Sequence, residues 1–142
     1  VVEHAERSGL NINFEAIKRT PNTLHAHRLI HWAEAEGVQT SLVQSLFIAY
    51  FERGRDLGDT DVLVDIAHCA GMDREAVAQM LDTDDDLEGI KERDASGRKM
   101  GLNGVPAFVV AGQHVVQGAQ GPDLWTRVIR DITEQMALQA VS

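Results

Sequence analysis

The stretch Gly101–Gln120, GLNGVPAFVVAGQHVVQGAQ, constrains the chain most, because it spells out a backbone route. Gly101 and Asn103-Gly104 are turn residues, and Val105-Pro106 follows them. A residue before proline is driven to extended geometry by clash with the proline ring. Proline has no N–H to donate, and sheets accept it where a strand begins. Ala107-Phe108-Val109-Val110 is a short apolar run, Ala111-Gly112-Gln113 is loop-like, and His114-Val115-Val116-Gln117 is a second run. Two such runs around a short Gly-containing gap predict a β-hairpin. The first run does not alternate, which predicts a strand covered on both faces. Gly118 ends the hairpin. Gly121-Pro122-Asp123 then predicts a helix start, with proline in the first turn and an acid at the positive helix end. That helix runs to about Leu138, with Leu124, Trp125, Val128, Ile129, Ile132 and Met136 expected inward.

The chain before this stretch is written in helical periods. Residues 1–8 look like the last turns of a helix stopped by Gly9, and Leu10–Phe14 reads as a short strand or a connector. Asn22 is a good N-cap for a helix to about Glu36, closed by Gly37, with Ala26, Leu29, Ile30 and Ala33 on one face. Thr40 or Ser41 caps the next, to about Arg53 before Gly54, with Leu42, Val43, Leu46, Phe47, Tyr50 and Phe51 as core. Asp59 caps a helix ended by Gly71, Asp73 caps another, and Thr83 or Asp84 caps a longer one to about Met100 with a thin apolar face. Successive helices followed by a strand pair and a helix predict a helical subdomain set into an α/β fold. The divisions are 1–21, the end of a helix and an extended connector; 22–100, the helical subdomain; and 101–142, the hairpin and closing helix.

Three strings carry a family resemblance. Gly104-Val105-Pro106-Ala107-Phe108, with Gly118-Ala119-Gln120 downstream, resembles the DsbA family, and within it the FrnE-like branch, which has G-V-P-x-F followed by S-G-A-Q. Gln117 stands where that branch has Ser. Asn22-Thr23-Leu24-His25-Ala26-His27-Arg28-Leu29 resembles the branch's N-T-x-x-A-H-R-L, and Leu46–Phe51 its L-F-x-A-Y-F. The resemblance spans about residues 10–135. It implies a thioredoxin-like fold with a helical insertion and a thiol–disulfide oxidoreductase that acts through a Cys-x-x-Cys. It also implies a cis bond before Pro106, a backbone at Val105 that pairs with substrate, and contributions from Gly104 and Gln120. His27 and Arg28 would line the cleft. A sister branch, similar to kappa-class glutathione transferases and 2-hydroxychromene-2-carboxylate isomerases, shares the fold and would bind glutathione; otherwise no cofactor is implied. A third alternative is a non-enzymatic, all-helical interaction module, which predicts no strand pair.

Composition narrows the partners. The chain has 142 residues and a formal net charge of −9, with no basic excess to meet nucleic acid or an anionic membrane, and no run long enough to span a bilayer. It has one cysteine, Cys69, so it holds no Cys-x-x-Cys and no catalytic residue of its own. The expectation is a C-terminal portion of a longer protein whose redox motif lies upstream. A lone thiol suits the cytoplasm. The expected partner is a disulfide-containing protein or a small thiol, and homo-oligomerisation is left open.

Other constellations read blandly. His27 and His31 sit four apart on one helix with Glu34 beyond, but Arg28 follows His27 where a metalloprotease helix has Glu, so no metal is expected. A polar helix face and a cleft lining both remain. Asp82–Glu88 fails as a calcium loop, since Leu87 stands where the turn glycine belongs. Cys69 is expected to be a small buried hydrophobe.

Overall fold

A computed structural model describes residues 2–140. Val1, placed by the sequence in the first helix, lies outside the described residues. The elements are α1 (Val2–Arg7), α2 (Leu24–Ala35), α3 (Gln39–Phe47), a π-helical turn (Ile48–Glu52), α4 (Thr60–Cys69), α5 (Arg74–Leu81), α6 (Leu87–Lys99), β1 (Ala107–Val110), β2 (His114–Gln117) and α7 (Pro122–Ala140). They form two compact units, Val1–Arg93 and Asp94–Ser142. The boundary falls inside α6, seven residues before the division expected at Gly101. Leu10–Phe14 forms no strand. The hairpin excludes the all-helical alternative.

In the first unit, α2 to α5 close on one core. Leu29, Leu42 and Leu63 have no exposed surface, and Val77 almost none. Each such side chain contributes about 2 kcal/mol by leaving water. The caps follow the sequence at two helices: Asp59 accepts from the Asp61 N–H at 2.9 Å and Asp73 from the Ala76 N–H at 2.8 Å. Asn22 accepts from the Leu24 N–H at 3.0 Å, so it serves the start of α2 from one residue outside the cap. Asp65 joins α4 to its surroundings by accepting from Arg74 at 2.7 Å and Arg55 at 3.2 Å. The Arg74 bond, and then the Arg55 bond, hold its carboxyl below the usual range.

Several expectations need correction. α3 begins at Gln39 with Val38 at the cap, not at Thr40 or Ser41. The reason is that Ser41 Oγ turns back to donate to the Val38 carbonyl at 2.9 Å, while the Gln39 side chain donates to the Ile30 carbonyl at 3.0 Å. Phe47 is not core: it is exposed on an apolar groove that also includes Leu10, Ile12, Val43 and Phe51. α6 starts at Leu87, not after Thr83 or Asp84, because the intervening backbone is committed elsewhere, with Asp86 at a φ of 60°. Cys69 is exposed at the C-terminal end of α4.

The motif around Arg28 has a structural role. Arg28 is wholly buried. Its Nη2 donates to the Met80 and Thr83 carbonyls at 2.8 Å each, and its Nε to the Asp85 carbonyl at 2.8 Å. The guanidinium also lies 4.9 Å from the ring centre of Trp32, whose Nε1 donates to Asp86 at 2.7 Å. One turn of α2 therefore holds the whole 80–86 loop, which is why α6 starts late.

In the second unit, β1 and β2 pair antiparallel with Ala107 opposite Gln117 and Val110 opposite His114. Phe108 meets Trp125 of α7 edge to face, ring centres 4.8 Å apart, an arrangement favoured by the aromatic quadrupoles. The two-sided cover expected for β1 is not found among the described residues. Phe108, Val109 and Val115 are exposed, and so are Ile129 and Met136 of α7, which were expected inward. Two strands and one helix bury only one stripe of each. An apolar two-stranded sheet with open edges invites pairing with another chain. Light scattering of the purified 142-residue protein is expected to give a mass that grows with concentration. A dilution-resistant monomer would refute this.

Candidate functional site

The site is built by the turn and hairpin of the second unit. After α6, Gly101 adopts a φ of 81° and the Leu102 N–H donates to the Gly97 carbonyl at 3.2 Å, which stops the helix and turns the chain. Residues 103–106 then lead into β1. The Val105–Pro106 peptide is cis. The Pro106 carbonyl accepts from the Gly118 N–H at 2.8 Å, one step beyond the last strand pair. Gly118 has a φ of 81°, a backbone that favours glycine.

Side chains fix the ends of this loop to one another. Gln117 Nε2 donates to the Gly101 carbonyl at 3.2 Å, and Gln120 Nε2 donates to the Gln117 carbonyl at 2.8 Å. Gln117 thus has a task that a serine hydroxyl is too short to perform. Gln120 braces the hairpin exit rather than presenting a free amide.

Val105 is left outward. It is 95% exposed, and among the described residues neither its N–H nor its carbonyl has a hydrogen-bond partner. Gly104 beside it faces open space. A cavity of about 380 Å³ opens against Val105, Asn103, Leu102 and the end of α6. The charged side chains on it are Asp94 and Arg98, with Arg98 Nε 2.8 Å and Nη2 3.4 Å from the two carboxylate oxygens. The Asp94 hydrogen bond raises Arg98 further above its already high value. Backbone with an unpaired donor and acceptor at the entrance to a strand, next to a cavity, is an arrangement that can receive an extended segment.

The other expected site residues lie in the first unit. His27 is exposed on α2, and His31 is half-buried with its Nδ1 3.5 Å from Arg93 Nη1. Arg28 corrects the cleft expectation: with no exposed surface and its donors spent on backbone carbonyls, it is an interior clamp. Asp94 and Arg98 were not singled out in the sequence. Their i,i+4 spacing on a helix was the available signal.

Comparisons with known proteins identify the family and the fold. The DSBA-like thioredoxin domain model matches residues 1–130, and the chain belongs to that family. Its fold is accordingly the DsbA-like thioredoxin fold. The chain is similar to "Uncharacterized protein YwbO" of Bacillus subtilis (strain 168), 28% identical over 131 residues, covering 89% of this chain and 64% of that protein. Among solved structures it is similar to the crystal structure of the probable DsbA oxidoreductase SCO1869 from Streptomyces coelicolor, with a TM-score of 0.79 and 26% identity. That match covers 91% of this chain and 56% of the other. The chain spans less than two thirds of each relative's length.

Proposed function

We propose that this chain supplies the substrate-docking part of a thiol–disulfide oxidoreductase of the DsbA type, in its FrnE-like branch. The observation that carries this is the outward, unpaired backbone of Val105 at the entrance to β1. An extended substrate segment pairs with Val105, which brings its disulfide to a fixed place. Pro106 keeps the neighbouring backbone free of a competing N–H donor. The thiolate that attacks the disulfide, forming a mixed disulfide before a second thiol releases it, comes from a Cys-x-x-Cys outside these 142 residues. Cys69 is not that thiol, since a dithiol exchange needs a partner cysteine and the chain has one cysteine. An unpaired, exposed thiol also favours a reducing compartment such as the cytoplasm. The substrate is a disulfide-containing protein or a small disulfide.

The 142-residue protein is expected to reduce insulin with dithiothreitol no faster than dithiothreitol alone. Turnover above that control, abolished by Cys69→Ser, would assign the chemistry to Cys69 and overturn the placing of the reactive thiols outside these 142 residues.

A further inference from the structure

Arg98 uses Nε and Nη2 on Asp94, and its Nη1 has no partner among the described residues. Its side chain is 74% exposed on the cavity that Val105 also lines. Arg98 therefore adds a charged donor to that wall. The adjoining Asn103 side chain makes no hydrogen bond among the described residues. Asp94 is engaged by Arg98 through both oxygens, so the acceptor side of the pair is the more occupied one.

Within the second unit the formal side-chain charges balance. Residues 94–142 hold four acidic and four basic side chains, so the whole formal charge of −9 belongs to residues 1–93. Lys99, next to Arg98, is among the four bases.

We propose that Arg98 is a specificity-determining residue that favours disulfide-containing peptide segments with a carboxylate side chain beside the half-cystine. This rests on the docking role given to Val105. A strand laid along Val105 sends a side chain into the cavity within a residue or two of the paired position, because side chains alternate along a strand. A glutamate there meets Arg98 Nη1 as a charge-assisted hydrogen bond. A glutamine keeps the shape without the charge, and a lysine places two cations together.

The probe is a set of three peptides that differ only in Glu, Gln or Lys next to a cysteine capped as its methyl disulfide. The protein carries Cys69→Ser so that its exposed thiol cannot exchange with the cap. Titrations at low salt, where exposed charges are least screened, follow the amide resonances of Val105 and Ala107. The Glu peptide is expected to bind about threefold to fivefold tighter than the Gln peptide, the range of an exposed ion pair, with the Lys peptide weakest. Arg98→Gln should abolish the difference between Glu and Gln. Asp94→Asn should enlarge it, since it releases Arg98, an effect that a merely structural role for the pair does not produce. Equal affinity of the three peptides, with Val105 and Ala107 still shifting, would overturn the role of Arg98 and leave the docking role standing. Absence of any shift at Val105 and Ala107 would overturn both.

Discussion

Arg28→Leu is expected to cost about 3–5 kcal/mol of folding stability, the upper end for single substitutions, reached when a buried hydrogen-bond network is broken. The wild-type guanidinium satisfies the carbonyls of Met80, Thr83 and Asp85 at once. Leucine fills part of the volume but offers no donor. The Met80 carbonyl keeps the Thr83 N–H and hydroxyl, while the part-buried Thr83 and Asp85 carbonyls lose their donor, and an unsatisfied buried acceptor costs about 1–3 kcal/mol. The stacking on Trp32 is lost with it. Arg28→Lys should recover little, because an ammonium at one point cannot reach carbonyls that the planar fork spans. Urea denaturation followed by fluorescence reads the loss, and hydrogen exchange should locate it first at residues 80–86. A loss below about 0.5 kcal/mol, the range of ordinary surface substitutions, would show that the loop does not depend on Arg28.

The second large effect belongs to Gly54→Ala. Gly54 has a φ of 63°, where a side chain costs about 1–2 kcal/mol by itself. A Cβ added there would lie 2.3 Å from the Ala16 carbonyl oxygen and 2.6 Å from the Ala16 carbonyl carbon. The obstacle is backbone, which cannot rotate aside as a flexible side chain would. That same backbone is tied down nearby, since the Asn13 N–H donates to the Phe51 carbonyl at 2.7 Å. The expected loss is about 3–5 kcal/mol, at the upper end of what single substitutions do, with thermal unfolding as the measurement. Gly37→Ala is the internal comparison. Gly37 has a similar φ of 71° but open space around it, so it should lose only the conformational part. Equal losses at the two positions would show that the close approach of Ala16 contributes nothing.

The hairpin was legible because its signals are local. Turn glycines, an X-Pro step and two short apolar runs dictate a route regardless of what surrounds them. Asp59 and Asp73 were legible for the same reason, since a cap acts within three residues. What escaped reading depends on distant partners. Nothing near Arg28 in sequence announces carbonyls at positions 80–85. The outward turn of Cys69, Ile129 and Met136 depends on what each helix packs against, and periodicity marks an apolar stripe without saying how much of it is covered. The candidate site divides in the same way. Val105 and Pro106 were visible as a motif, whereas Arg98 and Asp94 needed the turn at Gly101 to bring them beside Val105.

The π turn at Ile48–Glu52 sets the arithmetic of the first unit. Such a turn holds one residue more than an α-helical hydrogen bond would enclose. Removing that residue would let the segment continue as ordinary α-helix, with every backbone bond restored. Everything after it would then arrive rotated by about 100°, the angular step of one residue. Gly54 would no longer face Ala16, nor would Phe51 present its carbonyl to Asn13. Residues 48–52 are therefore free to vary in chemistry where they face water, but not in number. Insertions and deletions are barred from a stretch that, by composition alone, looks like unremarkable helix.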